Sequence, residues 1–279
     1  MRASPFFEGV KQVDLKIDEH DVKLPIFYYD GSAMTTMFPA KLSGLRKFLP
    51  DRRFNPARLA PGVGVVGITC FEYRDTDIGP YNELAIAIPL NVPHFRPNFP
   101  GRALIETQLS GQVHAFVHHL PVTTEIALDA GKRLWNYPKF VAGIDFTETD
   151  RQRVCKLSEG EEHILTVSCD HIKARRPSDT QVFSHLWHER QPQMSEFKLH
   201  AAASGETAKP GRAQLELGNA HPIARELRDV LLTTKSLAAQ WSDGVEGILY
   251  GPEHMMVQHL DEMMHHMEIE PVGTKAKAK

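Results

Sequence analysis

Short β-rich runs, cut by glycine, proline and charged turns, recur along most of this chain. Val63, Val65, Val66, Ile68 and Phe71 mark one such run at residues 62–73. A second, at 84–90, is apolar on both faces, the pattern of a strand covered on both sides. Further runs fall at 113–120, 140–147, 153–157, 163–169, 181–187, 195–201, 213–217 and 245–250. Helical spacing is rare by comparison. Residues 39–49 carry it, with Pro39 in the first turn, Leu42, Leu45 and Leu49 on one face, and Pro50 as the stop. Residues 124–130 read as a short helix with Thr124 as N-cap and Gly131 just past its end. Residues 222–232 place Ile223, Leu227, Val230 and Leu231 on one face. Many strands and few helices predict a β-dominated α+β domain, closed into a barrel or built from two curled sheets. That single domain is expected over 1–250. A Met- and His-rich helix is expected at 251–271 and a disordered tail at 272–279.

The totals exclude several partners. A net charge of -3 over 279 residues gives no electrostatic pull toward nucleic acid or an anionic membrane. No apolar stretch approaches a membrane span, and the first residues carry no signal-peptide pattern. Cys70, Cys155 and Cys169 are far apart and odd in number, and Cys70 and Cys169 lie in apolar runs. They read as reduced core cysteines of a cytoplasmic protein.

One lysine stands out. Lys139 follows Pro138 and sits among Leu134, Trp135, Tyr137, Phe140, Val141 and Ala142. Burial there disfavours the charged ammonium and leaves a neutral amine, a nucleophile toward carbonyls. The ten residues by themselves also allow a lysine whose stem lies along the core while its head reaches water.

Tyr137-Pro138-Lys139, preceded by Gly131-x-x-Leu134, resembles the Schiff-base lysine motif of the acetoacetate decarboxylase family. The segment Gly79-Pro-Tyr-Asn-Glu-Leu-Ala-Ile-Ala-Ile-Pro89 resembles that family's strand carrying an active-site glutamate, here Glu83. The two motifs stand in the family's order, and weaker similarity covers most of the chain. The resemblance implies a closed, mostly antiparallel barrel with peripheral helices, assembled as a homo-oligomer. It implies an enzyme, a carbon–carbon lyase, in which Lys139 forms an imine with a small keto acid and Glu83 handles a proton or positions substrate. The reaction it implies is decarboxylation of a β-keto acid. No external cofactor is expected, because the protonated imine is itself the electron sink.

This chain departs from the family pattern at several points. Phe140 stands where the type enzyme has a second lysine. The run Gly67-Ile-Thr-Cys70 lacks that enzyme's second acid, and Asp30 or Gly31 stands near the place of its pocket arginine. The departures point to a substrate other than acetoacetate. Two alternatives follow: aldolase–dehydratase chemistry on a pyruvate-like keto acid, or a non-catalytic barrel that binds a small molecule. Tyr81, Trp135, Tyr137 and Phe140 are candidate pocket residues. Arg96 and Arg102, on the proline-rich insertion at 91–102, are candidate carboxylate binders.

No metal is expected. His114, His118 and His119 lie on one strand, which alternation splits between two faces, and no H-E-x-x-H or comparable spacing occurs. His265 and His266 belong to the C-terminal Met/His pattern, which reads as packing. The glycines at 62–67 lack the full dinucleotide spacing and run into a strand.

Overall fold

A strand covered on both faces needs a layer on each side, and this chain supplies both. The computed structural model describes residues 4–91, 101 and 110–252. Chain order runs through a hairpin, β1 (Val13–Ile17) and β2 (His20–Leu24), and a long strand, β3 (Ile26–Lys41). Helix α1 (Leu42–Phe48), β4 (Arg58–Ala60), β5 (Val63–Thr76), β6 (Tyr81–Pro89) and β7 (Gln112–His119) follow. Then come α2 (Glu125–Trp135), β8 (Gly143–Glu148), β9 (Gln152–Glu159), β10 (Glu162–Asp170), β11 (Arg176–His188) and β12 (Gln191–Thr207). The described chain closes with β13 (Ala213–Leu217), α3 (Pro222–Val230) and β14 (Ala238–Leu249).

Seven strands form a closed barrel in the order β3-β14-β12-β11-β7-β6-β5, and the β5–β3 pairing shuts it. All neighbours are antiparallel except β7 and β11. A four-stranded sheet, β13-β10-β9-β8, packs on the outside. Alternation along each barrel strand divides the apolar residues in two. Outward residues such as Ile68, Cys70, Leu84, Ile86 and Ile88 meet Leu157, Ile164, Leu165 and Leu215 of the outer sheet. Inward residues come from every barrel strand: Tyr28, Tyr73, Tyr81, Val117, Leu186, Ala201 and Val245. Helix α2 fills this interior with Ala127, Ala130, Leu134 and Trp135.

The β-dominated barrel with peripheral helices agrees with the expectation; some boundaries differ. Residues 39–41 end a strand and do not start a helix. Pro39 lies opposite Val65, and α1 begins only at Leu42. Ladder pairing that closes the barrel outweighs the local helical pattern. Helix α2 runs past Gly131 to Trp135. Asn136, in the left-handed region at φ 55°, ends it by returning its N–H to the last carbonyls. Thr124 occupies the N-cap but its side chain makes no capping bond. Among the described residues no helix is long and apolar enough to cross a membrane, and all three cysteines are buried thiols. Residues 92–100, which include Arg96, Arg102, the Met/His-rich segment from 253 and the tail at 272–279 lie outside the described residues.

Candidate active site

Glu83 and Lys139 are 56 residues apart in sequence and meet inside the barrel. Glu83 shares the inward face of β6 with Tyr81, and Phe71 of β5 lies opposite it. The segment after β7 carries the connection. Leu84 donates its N–H to Pro121 and Thr123 to Asn82, which ties this segment to β6. Leu120 donates to Pro138, Val122 to Phe140, and Ala142 back to Val122, which ties it to the lysine segment. Val122, fully buried, thus bridges to both Glu83 and Val141. The backbone clamp sets the two side chains face to face: Lys139 Nζ donates to Glu83 Oε2 at 2.7 Å, with side-chain exposures of 5% and 10%.

Tyrosines wall the pair. Lys139 Nζ lies 5.8 Å from the ring centres of both Tyr81 and Tyr137. Tyr28 and Tyr81 share a hydrogen bond between their hydroxyls at 3.1 Å, and Tyr137 bonds Ser184 at 2.7 Å. Tyr73 packs on Tyr28 and Tyr81 with ring centres 4.5 and 5.0 Å away, yet its buried hydroxyl has no partner among the described residues. Burial, and then the charge of Glu83, push Tyr28, Tyr73 and Tyr81 well above the ordinary phenol value. Burial likewise raises Tyr137, against its bond to Ser184. These phenols therefore act as neutral O–H groups at physiological pH.

Gly131 lies directly beneath the lysine. A Cβ at that position would come within 2.5 Å of Lys139 Cδ and Cε and 3.1 Å of Nζ. A bare backbone at this turn of α2 is what makes room for the lysine stem.

Of the residues singled out in sequence, Tyr81 and Tyr137 flank the ammonium. Trp135 stacks behind Tyr137 at 5.9 Å, and its indole N–H is shared by Ser195 Oγ and the Tyr250 carbonyl. It is a support for the wall. Phe140 points away, because it follows Lys139 in extended chain, and packs in the outer core. Val141 is 37% exposed, so it does not shield the amine either. Asp30 lies outside the site, held by Arg74 at 2.7 and 2.8 Å. Sequence reasoning missed Tyr28, Tyr73 and Ser184, which come from three separate strands. It read Gly131 as a helix terminus, although the Gly131-x-x-Leu134 spacing was the available signal. Tyr137 also faces a cleft of about 500 Å³, lined by Phe48, Phe116, His118, Leu186 and Trp187 as well. Tyr137 thus belongs both to the lining of this cleft and to the wall around Lys139.

The acetoacetate decarboxylase (ADC) family model matches residues 18–245, which span both halves of this site, and the chain belongs to that family. An acetoacetate decarboxylase from Legionella pneumophila has a similar fold, with a TM-score of 0.57 at 15% identity over 81% of this chain and 86% of that one. The enduracididine biosynthesis enzyme MppR, in complex with pyruvate, is similar at a TM-score of 0.58 and 12% identity over 90% and 94% of the two chains. MppR is also seen with the condensation product of pyruvate and imidazole 4-carboxaldehyde, in a structure similar at a TM-score of 0.56 and 11% identity over 82% and 89%. The search of curated proteins returned no match. Membership of this family supports an enzyme; the solved structures show the shared fold.

Proposed function

We propose that this chain is a lysine-imine enzyme that decarboxylates a small β-keto acid through a Schiff base on Lys139. One observation carries the reading: the 2.7 Å contact between Lys139 and Glu83 inside the barrel. A buried ion pair is a weak source of stability, because desolvation offsets most of the attraction. Chemistry is the better reason to keep one in a pocket.

The proton that the pair shares passes to Glu83, and the neutral amine adds to the keto carbon of the substrate. The hydroxyl of the adduct departs as water with the proton from Glu83, leaving a protonated imine. The bond to the β-carboxylate then breaks. Its electron pair moves to the imine nitrogen, CO2 leaves and an enamine remains. Protonation of the enamine carbon and hydrolysis release the ketone and restore the lysine. The Tyr73 hydroxyl, having no partner among the described residues, is available to donate to a substrate oxygen. Gly131 keeps the stem of Lys139 in line.

The MppR complexes favour a second reading, in which a pyruvate imine on Lys139 gives up a methyl proton to Glu83, and the enamine so formed attacks an aldehyde before water is lost. One experiment addresses both. The protein is incubated with β-keto acids, and with pyruvate with and without aldehydes, then treated with borohydride. Intact mass and peptide mapping should place a reduced adduct on Lys139, and Lys139→Ala should abolish it. Released CO2 supports decarboxylation; a condensation product supports the second reading. Absence of adduct across the panel would leave a binding barrel.

A further inference from the structure

Away from Lys139, two adjacent histidines and a glutamate converge on the barrel wall. His118 Nε2 is 3.2 Å and His119 Nε2 2.9 Å from the same oxygen, Glu226 Oε2. One ligand atom from each residue lies within 4.8 Å of the other two. Neighbours on a regular strand point to opposite faces, so this convergence needs a local break. The β6–β7 ladder supplies it. Ile86 pairs with His119 but Ala87 pairs with Val117, so one step on β6 answers two on β7. The extra residue, His118, makes a β-bulge that turns both rings toward one point. This corrects the sequence expectation that His118 and His119 face apart.

The opposing carboxylate is equally constrained. Ile223, Leu227 and Val230 of α3 are buried in the outer core, which fixes where the helix presents Glu226. Phe48 of α1 stacks on the His118 ring at 4.4 Å and 15° and holds its plane. Side-chain exposures of 16% and 20% for the histidines and 40% for Glu226 leave an approach from solvent.

We propose that His118, His119 and Glu226 form a site for a divalent transition metal of the zinc class, which ties α3 to β7. Two imidazoles and one carboxylate, with room for water as a fourth ligand, are a donor set that zinc uses. Calcium and magnesium favour sites built from oxygen alone. With metal–ligand lengths of about 2.0–2.2 Å, tetrahedral ligand atoms stand roughly 3.3 Å apart. The two contacts to Glu226, at 3.2 and 2.9 Å, are close to that spacing. Each neutral ring moves its proton to Nδ1 and offers the Nε2 lone pair to the ion. The site shares no residue with the Lys139–Glu83 pair and does not rest on the proposed reaction.

The test uses untagged full-length protein, stripped with chelator and titrated with Zn2+ by calorimetry and thermal melting. Zn2+ should raise the melting temperature of the wild type. His119→Ala and Glu226→Gln should each lose one bound equivalent and that rise. His265→Ala/His266→Ala should keep both, which separates this site from the C-terminal histidines. Co2+ should give tetrahedral absorption bands in the wild type that Glu226→Gln, an isosteric change, removes. Unchanged stoichiometry, melting shift and Co2+ spectrum in Glu226→Gln would overturn the proposal, as would a wild type that binds no Zn2+.

Discussion

In the proposed reaction, a glycine, a glutamate and a tyrosine govern what the lysine can do. Gly131→Ala is expected to separate position from stability. Alanine raises helix propensity by about 1 kcal/mol, while the new methyl displaces the end of the Lys139 side chain. Imine formation should fall by about 10²-fold, because a shift on the order of 1 Å costs that much. The melting temperature should hold or rise, and borohydride trapping read beside thermal melting checks both. Glu83→Gln keeps the size and the contact but cannot accept a proton. Turnover should drop by about 10²-fold or more. An unchanged turnover with a lower melting temperature would assign Glu83 to the fold. Tyr73→Phe removes a buried hydroxyl that has no partner among the described residues. It should stabilise the free protein by about 1 kcal/mol and lower kcat/KM by about tenfold, provided substrate accepts that hydrogen bond. Steady-state kinetics and denaturant melts read the two effects separately.

At the scale of elements, the parallel junction of the barrel, β7 with β11, carries a histidine pair. His114 Nδ1 and His185 Nε2 are 3.0 Å apart across it. Burial, followed by the charge of His114, lowers His185 from 6.5 to about 4. The sign follows directly. Between about pH 6.5 and 4 the unfolded chain binds a proton at this position that the native chain resists, so stability falls as pH drops through that window. The loss should be on the order of 3 kcal/mol at most. Denaturant melts from pH 7 to 4 should show it, with a flatter profile in His185→Gln. A profile as steep in the variant as in the wild type would remove His185 from the account. The segment at 120–123 works at the same scale. It is too short to read as a strand, yet its backbone bonds hold β6 and the lysine segment in register. Helix α2 was legible by its N-terminal signal at Thr124, but its end was not. Gly131 looks like a C-terminal signal until the helix continues beneath Lys139, and Asn136 takes the left-handed turn instead.

Across the whole molecule, Arg153 of β9 joins the outer sheet to the barrel. It lies between the rings of Phe146 and Trp241, at 4.7 and 4.3 Å, and bonds Glu72 of β5 at 2.6 Å and Ser32 of β3 at 3.2 Å. Glu72→Leu leaves this arginine without its main carboxylate; because the Glu72 side chain is one-third exposed, the cost should be about 1–2 kcal/mol, below that of a fully buried pair. Arg153→Met/Glu72→Leu together should recover part of that loss, since an apolar pair replaces a half-buried charge pair. Chemical denaturation of the two variants checks the coupling. Sequence alone determined the β-rich class, most strand positions, and Lys139 with Glu83 as the residues to watch. Each of these is written in local periodicity or in short motifs. Barrel closure, the inward turn of four tyrosines, the space above Gly131 and the meeting of His118 with His119 were decided by tertiary structure. All four depend on strand register, and a one-residue shift in register exchanges the faces of a strand. The β3–β5 ladder and the bulge in β7 set that register through pairings between residues distant in the chain.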